Sequence, residues 1–417
     1  MGLIVQKFGG SSVADAERIK RVAKRVAETY DAGNNVIVVV SAMGDTTDDL
    51  IELAAQLTDK PAKREMDMLL STGEQQSIAL LTMALCSIGY KAVSLNGSQA
   101  GFVTDGVYGK AKIEHINSER LEDELGKGNI CVVAGFQGID AVGDINTLGR
   151  GGSDTSAAAL AIALSADVCE IFTDVNGVYT ADPRIVPKAH KLPVISYDEM
   201  LEMAAMGAGV LHPRSVELAK QFGLKLHVRS SFNHEEGTIV QETKISGDTN
   251  MNNKHIELEK DVVVAGVAND TDVIKITIFG VPDKPGVAAD IFTSLAAERV
   301  NVDMIVQSGT KNNCQDISFT TSKGDRDRVE SVMTQTVTEL EAEGYRVEDA
   351  VAKISIVGAG MISHPGVAAK MFKVLSDNQC NINIISTSEI KISCIIDSAN
   401  TQKAVQALHT AFDLDIK

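Results

Sequence analysis

The chain has 417 residues, enough for two or three domains with ample core. Apolar residues make up 44% and charged residues 23%, and tryptophan is absent, a globular balance that excludes a disordered or collagen-like chain. A formal net charge of −17 argues against non-specific nucleic-acid binding and against a polybasic membrane patch; an anionic ligand would need isolated Lys or Arg residues beside flexible backbone.

In chain order, Leu3–Phe8 predicts a strand that runs into Gly9-Gly10-Ser11-Ser12. Ile19, Val22, Val26 and Tyr30 lie at helical spacing, and that helix ends near Gly33. Val36–Val40 is a β-branched run, read as a strand buried on both faces, and it leads into Ser41-Ala42-Met43-Gly44. Helices are predicted over Thr47–Leu57 and Ala62–Ser87, the second carrying Ser71-Thr72-Gly73-Glu74. Strands at Ala92–Leu95 and Ile130–Phe136 follow. Next comes Thr147-Leu148-Gly149-Arg150-Gly151-Gly152-Ser153-Asp154, ahead of an Ala-rich helix to Ala166. A strand at Val168–Thr173 ends in Asp174, helices span Ser196–Met206 and His212–Phe222, and Leu224–Val228 is a last strand containing Lys225.

Apolar strands alternating with helices predict an α/β fold, a largely parallel sheet sandwiched between helices. Ligands of such sheets sit beyond the carboxyl ends of the strands, where Lys7, Gly9-Gly10, Ser41, Arg150–Asp154 and Thr173-Asp174 are expected. The Gly149–Asp154 stretch supports two readings. It is a tight turn capped by Ser153 or Asp154 into a helix, or an anion seat of helix N–H groups with the Arg150 fork beside them. Neither G-x-x-x-x-G-K-[ST] nor a strand-following G-x-G-x-x-G occurs, which excludes Walker-type and dinucleotide-binding sites.

From Glu235 to about Glu257 the chain turns polar and reads as a linker. Beyond it lies a repeat offset by 80 residues: Pro285-Gly286-Val287-Ala288-Ala289 matches Pro365-Gly366-Val367-Ala368-Ala369, and Asn301-Val302-Asp303 matches Asn381-Ile382-Asn383. Each copy reads as a ferredoxin-like βαββαβ unit, and the strand-like run Val262–Val267 is a candidate to complete the second sheet. The Pro-Gly turn exposes helix N–H groups and the Asn-x-Asp/Asn pair opens a strand, a combination suited to a zwitterion.

The six cysteines (Cys86, Cys131, Cys169, Cys314, Cys380, Cys394) form no C-x-x-C pair and mostly sit in apolar runs, as free thiols of a reducing cytoplasm do. Met1–Lys7 carries too short an apolar run for a signal peptide, and no segment approaches ~20 apolar residues, so no membrane span is expected.

With these motifs in place, residues 1–235 resemble the amino-acid kinase family, a three-layer αβα sandwich, and the C-terminal part resembles tandem ACT domains. The resemblance rests on Lys7-Phe8-Gly9-Gly10-Ser11-Ser12, Ser41-Ala42-Met43-Gly44, Ser71-Thr72-Gly73-Glu74, Gly149–Asp154, and Thr173-Asp174 through Tyr179 to Asp182-Pro183-Arg184. Asn176 stands where many relatives have Asp. The pairing resembles the aspartate kinases and divides the chain into a catalytic domain (1–235), a linker (236–260) and ACT domains at 261–350 and 351–417. It implies phosphoryl transfer from ATP, with Mg²⁺, to the side-chain carboxylate of L-aspartate, EC 2.7.2.4, at the head of lysine, threonine and methionine synthesis. A carboxylate is already a nucleophile, so no general base is called for, and the task is positioning and charge neutralisation.

The resemblance further implies roles by motif. Lys7 and Asp154 would be catalytic. Ser41, Thr47, Glu74, Arg150 and Ser153 would bind aspartate, Arg150 at the α-carboxylate and Glu74 at the ammonium. ATP would fall to Lys7, Gly9, Gly10, Ser11, Thr173, Asp174, Tyr179, Arg184 and Lys225, and no protein ligand is implied for Mg²⁺. Lysine and/or threonine would inhibit at the ACT pair through Asp283, Gly286, Val287, Asn301, Asp303 and Gln307, with Asn381 and Ile382 in the second copy. Partners would be a homo-oligomer or a separate ACT-only subunit, made from an internal start near Met251. The competing readings are a kinase of the same fold acting on glutamate, acetylglutamate or UMP, and an amino-acid sensor without transfer chemistry.

Overall fold

The computed structural model describes residues 2–205, 210–242 and 263–415, which form two compact units. The first comprises residues 2–178, 191–205 and 210–242. Its elements are β1 (Leu3–Phe8), α1 (Ala16–Asp31), β2 (Asn35–Val40), α2 (Thr46–Ala55), α3 (Lys63–Ser87), β3 (Ala92–Leu95), β4 (Phe102–Thr104), β5 (Ile113–Ile116), α4 (Glu119–Gly126), β6 (Ile130–Ala134), β7 (Gln137–Ile139), β8 (Ile145–Thr147), α5 (Gly152–Ala163), β9 (Val168–Thr173), β10 (Val194–Ile195), α6 (Tyr197–Ala205), α7 (Pro213–Phe222), β11 (Leu226–Ser230) and β12 (Thr238–Val240).

Eight strands form one sheet in the order β10-β12-β11-β9-β1-β2-β6-β3, parallel throughout except where β12 returns beside β11. Asp15 caps α1 by accepting from the Arg18 amide at 2.8 Å, and Ile19, Val22, Ala23 and Val26 form its buried face. That face packs on Phe8, Val36, Val38, Val40, Ile130 and Val132. Phe8 stacks on Phe172 with ring centroids 4.5 Å apart, locking neighbouring strands in register. Alternation along β1 therefore sends Phe8 to the α1 side and Lys7 to the opposite face.

Beyond the short elements α4 and β10, which the sequence reading did not include, two features depart from it. β4, β5, β7 and β8 form a second, four-stranded sheet in the order β5-β4-β7-β8. Its strands are only three or four residues long, too short for an alternation signal. The expected linker begins inside the sheet: Thr238–Val240 is β12, paired with β10 and β11. From residue 243 onward that segment, with Met251, lies outside the described residues.

The second unit comprises Tyr179–His190 and residues 263–415. Its elements are β13 (Gly266–Asp270), β14 (Ile274–Pro282), α8 (Val287–Ala297), β15 (Ile305–Gln307), β16 (Cys314–Thr321), α9 (Arg326–Glu339), β17 (Gly344–Glu348), β18 (Val351–Val357), α10 (Val367–Asp377), β19 (Ile384–Thr387), β20 (Lys391–Asp397) and α11 (Thr401–Ala411). The first repeat builds the antiparallel sheet β15-β16-β14-β17 and the second builds β13-β18-β20-β19. β13 thus fills the edge of the second sheet that β17 fills in the first. The strand lies a few residues later than the run Val262–Val267, and Val262 is outside the described residues.

Segment 179–190, kinase-like by sequence, packs into this second unit. Ala181 and Val186 join the core of the second repeat, and the Thr180 hydroxyl bonds Nε2 of fully buried His409 at 2.9 Å. Among the described residues no helix is long and apolar enough to cross a membrane. All six cysteines are free thiols; Cys131, Cys169, Cys380 and Cys394 are buried, whereas Cys86 is exposed and Cys314 half-buried.

Candidate active site

The loops after β1, β2 and β9 converge at the carboxyl edge of the large sheet. The Gly9 amide donates to Phe172 O, Ser41 N to Phe8 O, and Gly44 N to Gly10 O, at 3.1–3.3 Å. A Cβ on Gly10 would lie 2.8 Å from the Ala42 carbonyl oxygen, so only glycine lets these two loops touch.

Lys7, on the face away from Phe8, meets Asp154 in the first turn of α5, Nζ to Oδ1 at 2.7 Å. Both side chains are nearly buried, at 13% and 10% exposure, so the pair is held in a low-dielectric site rather than in solvent. The expected cap is corrected here. α5 begins at Gly152, and its N-cap is Gly151 in the left-handed region at φ 68°, with no side-chain cap. Ser153 and Asp154 lie within the first turn, buried, which frees Asp154 for Lys7. Ser153 sits over Gly135, where a Cβ would come within 2.8 Å of it.

Arg150, between Gly149 and Gly151 at positive φ, is exposed, and among the described residues its guanidinium has no ion-pair partner. Glu74 on α3 is its opposite. It is 3% exposed; one carboxylate oxygen accepts from the Ala42 amide at 3.0 Å and the other has no partner among the described residues. Burial pushes its pKa up to about 7, against the lowering effect of its backbone hydrogen bonds. Ser41 and Thr47 lie half-buried at the end of β2 and in the first turn of α2.

Of the nucleotide candidates, Ser11 is exposed and its carbonyl accepts from Arg18 at 2.5 Å, while the Thr173 hydroxyl donates to Asp174 at 3.0 Å. Lys225 is not brought to this edge. It precedes β11, its carbonyl accepts from the Cys169 amide near the start of β9, and its side chain is exposed at the amino end of the sheet. The sequence showed a lysine in the last strand but not at which end of it. Tyr179 and Arg184 belong to the second unit, where the Arg184 fork holds Asp182 at 2.8–3.1 Å.

Sequence reasoning missed Asp67, His212 and Arg214, which hold the glycine loop. The His212 ring lies against Gly151, where a Cβ would fall 2.1 Å from its Cγ. Its backbone N–H faces Asp154 Oδ2 at 3.3 Å, and burial lowers the imidazole pKa. One signal was available for Asp67: it precedes Glu74 by two helical turns and shares its face. Among the described residues no group of three His, Cys, Asp or Glu side chains is placed to hold a metal ion.

In the second unit, Gly286 and Gly366 occupy equivalent N-cap positions of α8 and α10 at φ 101° and 102°, with Val287 buried just inside. Asp283 is exposed and accepts from the Thr310 hydroxyl at 2.6 Å; Gln307 bonds Gln315; the Asn301 carbonyl accepts from Thr321 at 2.7 Å. Asn381 is exposed and Ile382 packs on the core of the second repeat. Asp303 differs from an open effector ligand: its carboxylate binds the buried Lys353 ammonium at 2.5 Å.

Comparison with known proteins agrees with this layout. The amino acid kinase family profile matches residues 2–230, and ACT domain profiles match 275–337 and 354–412. An aspartokinase of Bacillus sp. (strain MGA3) is 52% identical over 414 residues, covering 99% of this chain and 98% of that protein. The structure of E. coli aspartokinase III in complex with aspartate and ADP (R-state) is similar with a TM-score of 0.82 at 26% identity, covering 98% of this chain and 99% of that one. The same enzyme in complex with lysine and aspartate (T-state) is similar with a TM-score of 0.72 at 25% identity, with the same coverage.

Proposed function

The chain belongs to the aspartokinase family, and from that premise we propose that it transfers the γ-phosphoryl group of MgATP to the side-chain carboxylate of L-aspartate in the cytoplasm, giving 4-phospho-L-aspartate. The observation that carries this reading is the pair of unmatched charges at one sheet edge. Glu74 is a buried carboxylate without a cation, and Arg150 is a guanidinium without an anion among the described residues. A zwitterionic amino acid supplies both missing partners, its ammonium to Glu74 and its α-carboxylate to Arg150.

That grip leaves the substrate's side-chain carboxylate free to attack. One oxygen forms the new O–P bond as the bond from the γ-phosphorus to the β–γ bridging oxygen breaks, and ADP departs with that electron pair. No proton has to move. The Lys7 ammonium, steered by Asp154 and backed by the Gly10 amide, neutralises the charge that two converging anions create, whereas the Gly9 amide expected beside it is already donated to Phe172 O. Ser41, Thr47 and Ser153 offer hydroxyls to aspartate, and Ser11, Thr173 and Asp174 serve the nucleotide. Mg²⁺ would supply charge screening at the nucleotide's phosphates; of the carboxylates at this edge, Asp154 and Asp174 are already engaged by Lys7 and Thr173.

We further propose that lysine and/or threonine inhibits at the ACT repeats of a homo-oligomer, or of an assembly with a separate ACT-only subunit. The twin Pro-Gly helix starts support the ACT site, as does the similarity to an enzyme solved with lysine. The reaction stands at the head of lysine, threonine and methionine synthesis. The test is ADP release with aspartate and hydroxylamine trapping of the acyl phosphate, repeated with lysine, threonine and both. Trapped product from glutamate but not aspartate would overturn the substrate; amino-acid binding without any ADP release would favour a sensor.

A further inference from the structure

We infer that Asp67 is the positioning residue for the Arg150 loop, setting how tightly the amino-acid substrate is held without touching it; this rests on the reading of Arg150 given above. Asp67 is 1% exposed, and among the described residues no cation pairs with it. Its charge is met by three donors instead. Oδ2 accepts from the amides of Thr147 and Gly109, both at 2.9 Å, and Oδ1 accepts from the Thr147 hydroxyl at 2.7 Å. A carboxylate buried so completely is costly unless such donors are fixed around it, so its presence specifies where they lie.

Thr147 is three residues before Arg150, and the intervening Leu148 is gripped from the other side. Arg214 on α7 donates to Leu148 O at 2.7 Å and to Ala111 O at 3.1 Å, and the Ala111 amide donates to Thr147 O at 2.9 Å. The stretch 147–148 is thus clamped to loop 109–111 by one buried anion and one cation. Beyond the clamp the chain passes through Gly149 and Gly151 at positive φ. Glycines there leave Arg150 free to swing unless the segment entering them is fixed. Two turns along α3, Glu74 holds the Ala42 amide in the same manner. One helix face therefore sets the spacing between the loop assigned to the α-carboxylate and the carboxylate assigned to the ammonium.

The experiment compares Asp67→Asn, Thr147→Val and Thr147→Ser in the full chain. Asp67→Asn removes the charge and one of the two acceptor oxygens: an amide oxygen can still meet the two N–H groups, but an NH2 then stands where the Thr147 hydroxyl donated, so it should raise the aspartate KM about tenfold, with the ATP KM within about twofold and kcat falling less than KM rises. Thr147→Val, which keeps shape and loses one donor, should show a smaller effect of the same kind, and Thr147→Ser should restore wild-type values. The second readout is the rate of tryptic cleavage after Arg150 under native conditions, expected to rise in Asp67→Asn and Thr147→Val and not in Thr147→Ser. Unchanged aspartate KM and unchanged cleavage in both loosened variants would overturn the inference, as would an ATP KM rising in step with the aspartate KM. If the wild-type chain does not phosphorylate aspartate, the proposed reaction fails on its own. Cleavage then decides for Asp67: faster supports its role and unchanged rejects it.

Discussion

The two ends of the eight-stranded sheet are built from the same strands and differ in kind. At the amino end, a cavity of about 500 Å³ is bounded by Leu3, Asn35, Leu125 and Leu164. Its one charged lining residue, Glu122, is exposed and bonds the Ser118 hydroxyl. At the carboxyl end, Lys7, Asp154 and Glu74 are withdrawn from solvent, and Gly10 and Gly151 allow contacts that a Cβ would block. Charge that is buried, paired and held by loops is what a phosphoryl-transfer site needs, because little reorganisation is then left for the reaction itself.

The largest expected effect is at the ion pair. Lys7→Ala should lower kcat by about 10²–10³-fold, the usual scale for losing one fixed charge at a developing anion; an unchanged kcat in ADP release would remove the carboxyl edge from the chemistry. Arg150→Ala should raise the aspartate KM about 10–100-fold and leave the ATP KM alone, since a charged bond to an anion is worth ~1.5–3 kcal/mol. A rise in the ATP KM instead would reassign the guanidinium to the nucleotide.

Glu74 gives a pH test with a definite sign. Its folded pKa of about 7 lies above the ordinary 4.5, so ionising it opposes folding. Stability without substrate should fall as pH rises from about 4.5 through 7, and Glu74→Gln should flatten that decline in thermal melts. Aspartate binding has the opposite sign: it needs the carboxylate, so its affinity should climb through the same interval and level off above it. An aspartate KM that stays flat from about one pH unit below neutrality to about one above it would detach Glu74 from the ammonium.

Gly151→Ala should destabilise by about 1–3 kcal/mol, from positive φ and the His212 ring together. The melting temperature measures it, and an unchanged value would mean the His212 ring yields. The smallest effect belongs to the amino end: Lys225→Ala should leave the ATP KM within about twofold, as exposed substitutions away from a site do. A large rise would erase the distinction between the two ends.

Much of this was legible in the residues. Val36–Val40 and Ile130–Ala134 announce buried parallel strands because nothing polar interrupts them. The face of α1 is visible in Ile19, Val22 and Val26. Lys7, Arg150 and Asp154 stand out because charge beside glycine is rare without a reason. The β4, β5, β7 and β8 strands were too short to register, and β12 looked like linker because it is only three residues long. Asp67 passed as an ordinary polar helix residue, since its partners are 42 and 80 positions away.

The sequence by itself determined the layers, the repeat and the chemical types available, because periodicity, glycine and charge act locally along a chain. Tertiary structure alone decided three matters: that Lys225 sits at the far end of its strand, that Asp303 is already bound to Lys353, and that segment 179–190 packs with the ACT repeats. Each depends on which distant strands and helices become neighbours. That is settled by burial and hydrogen-bond satisfaction across the whole fold, and no window of sequence contains it.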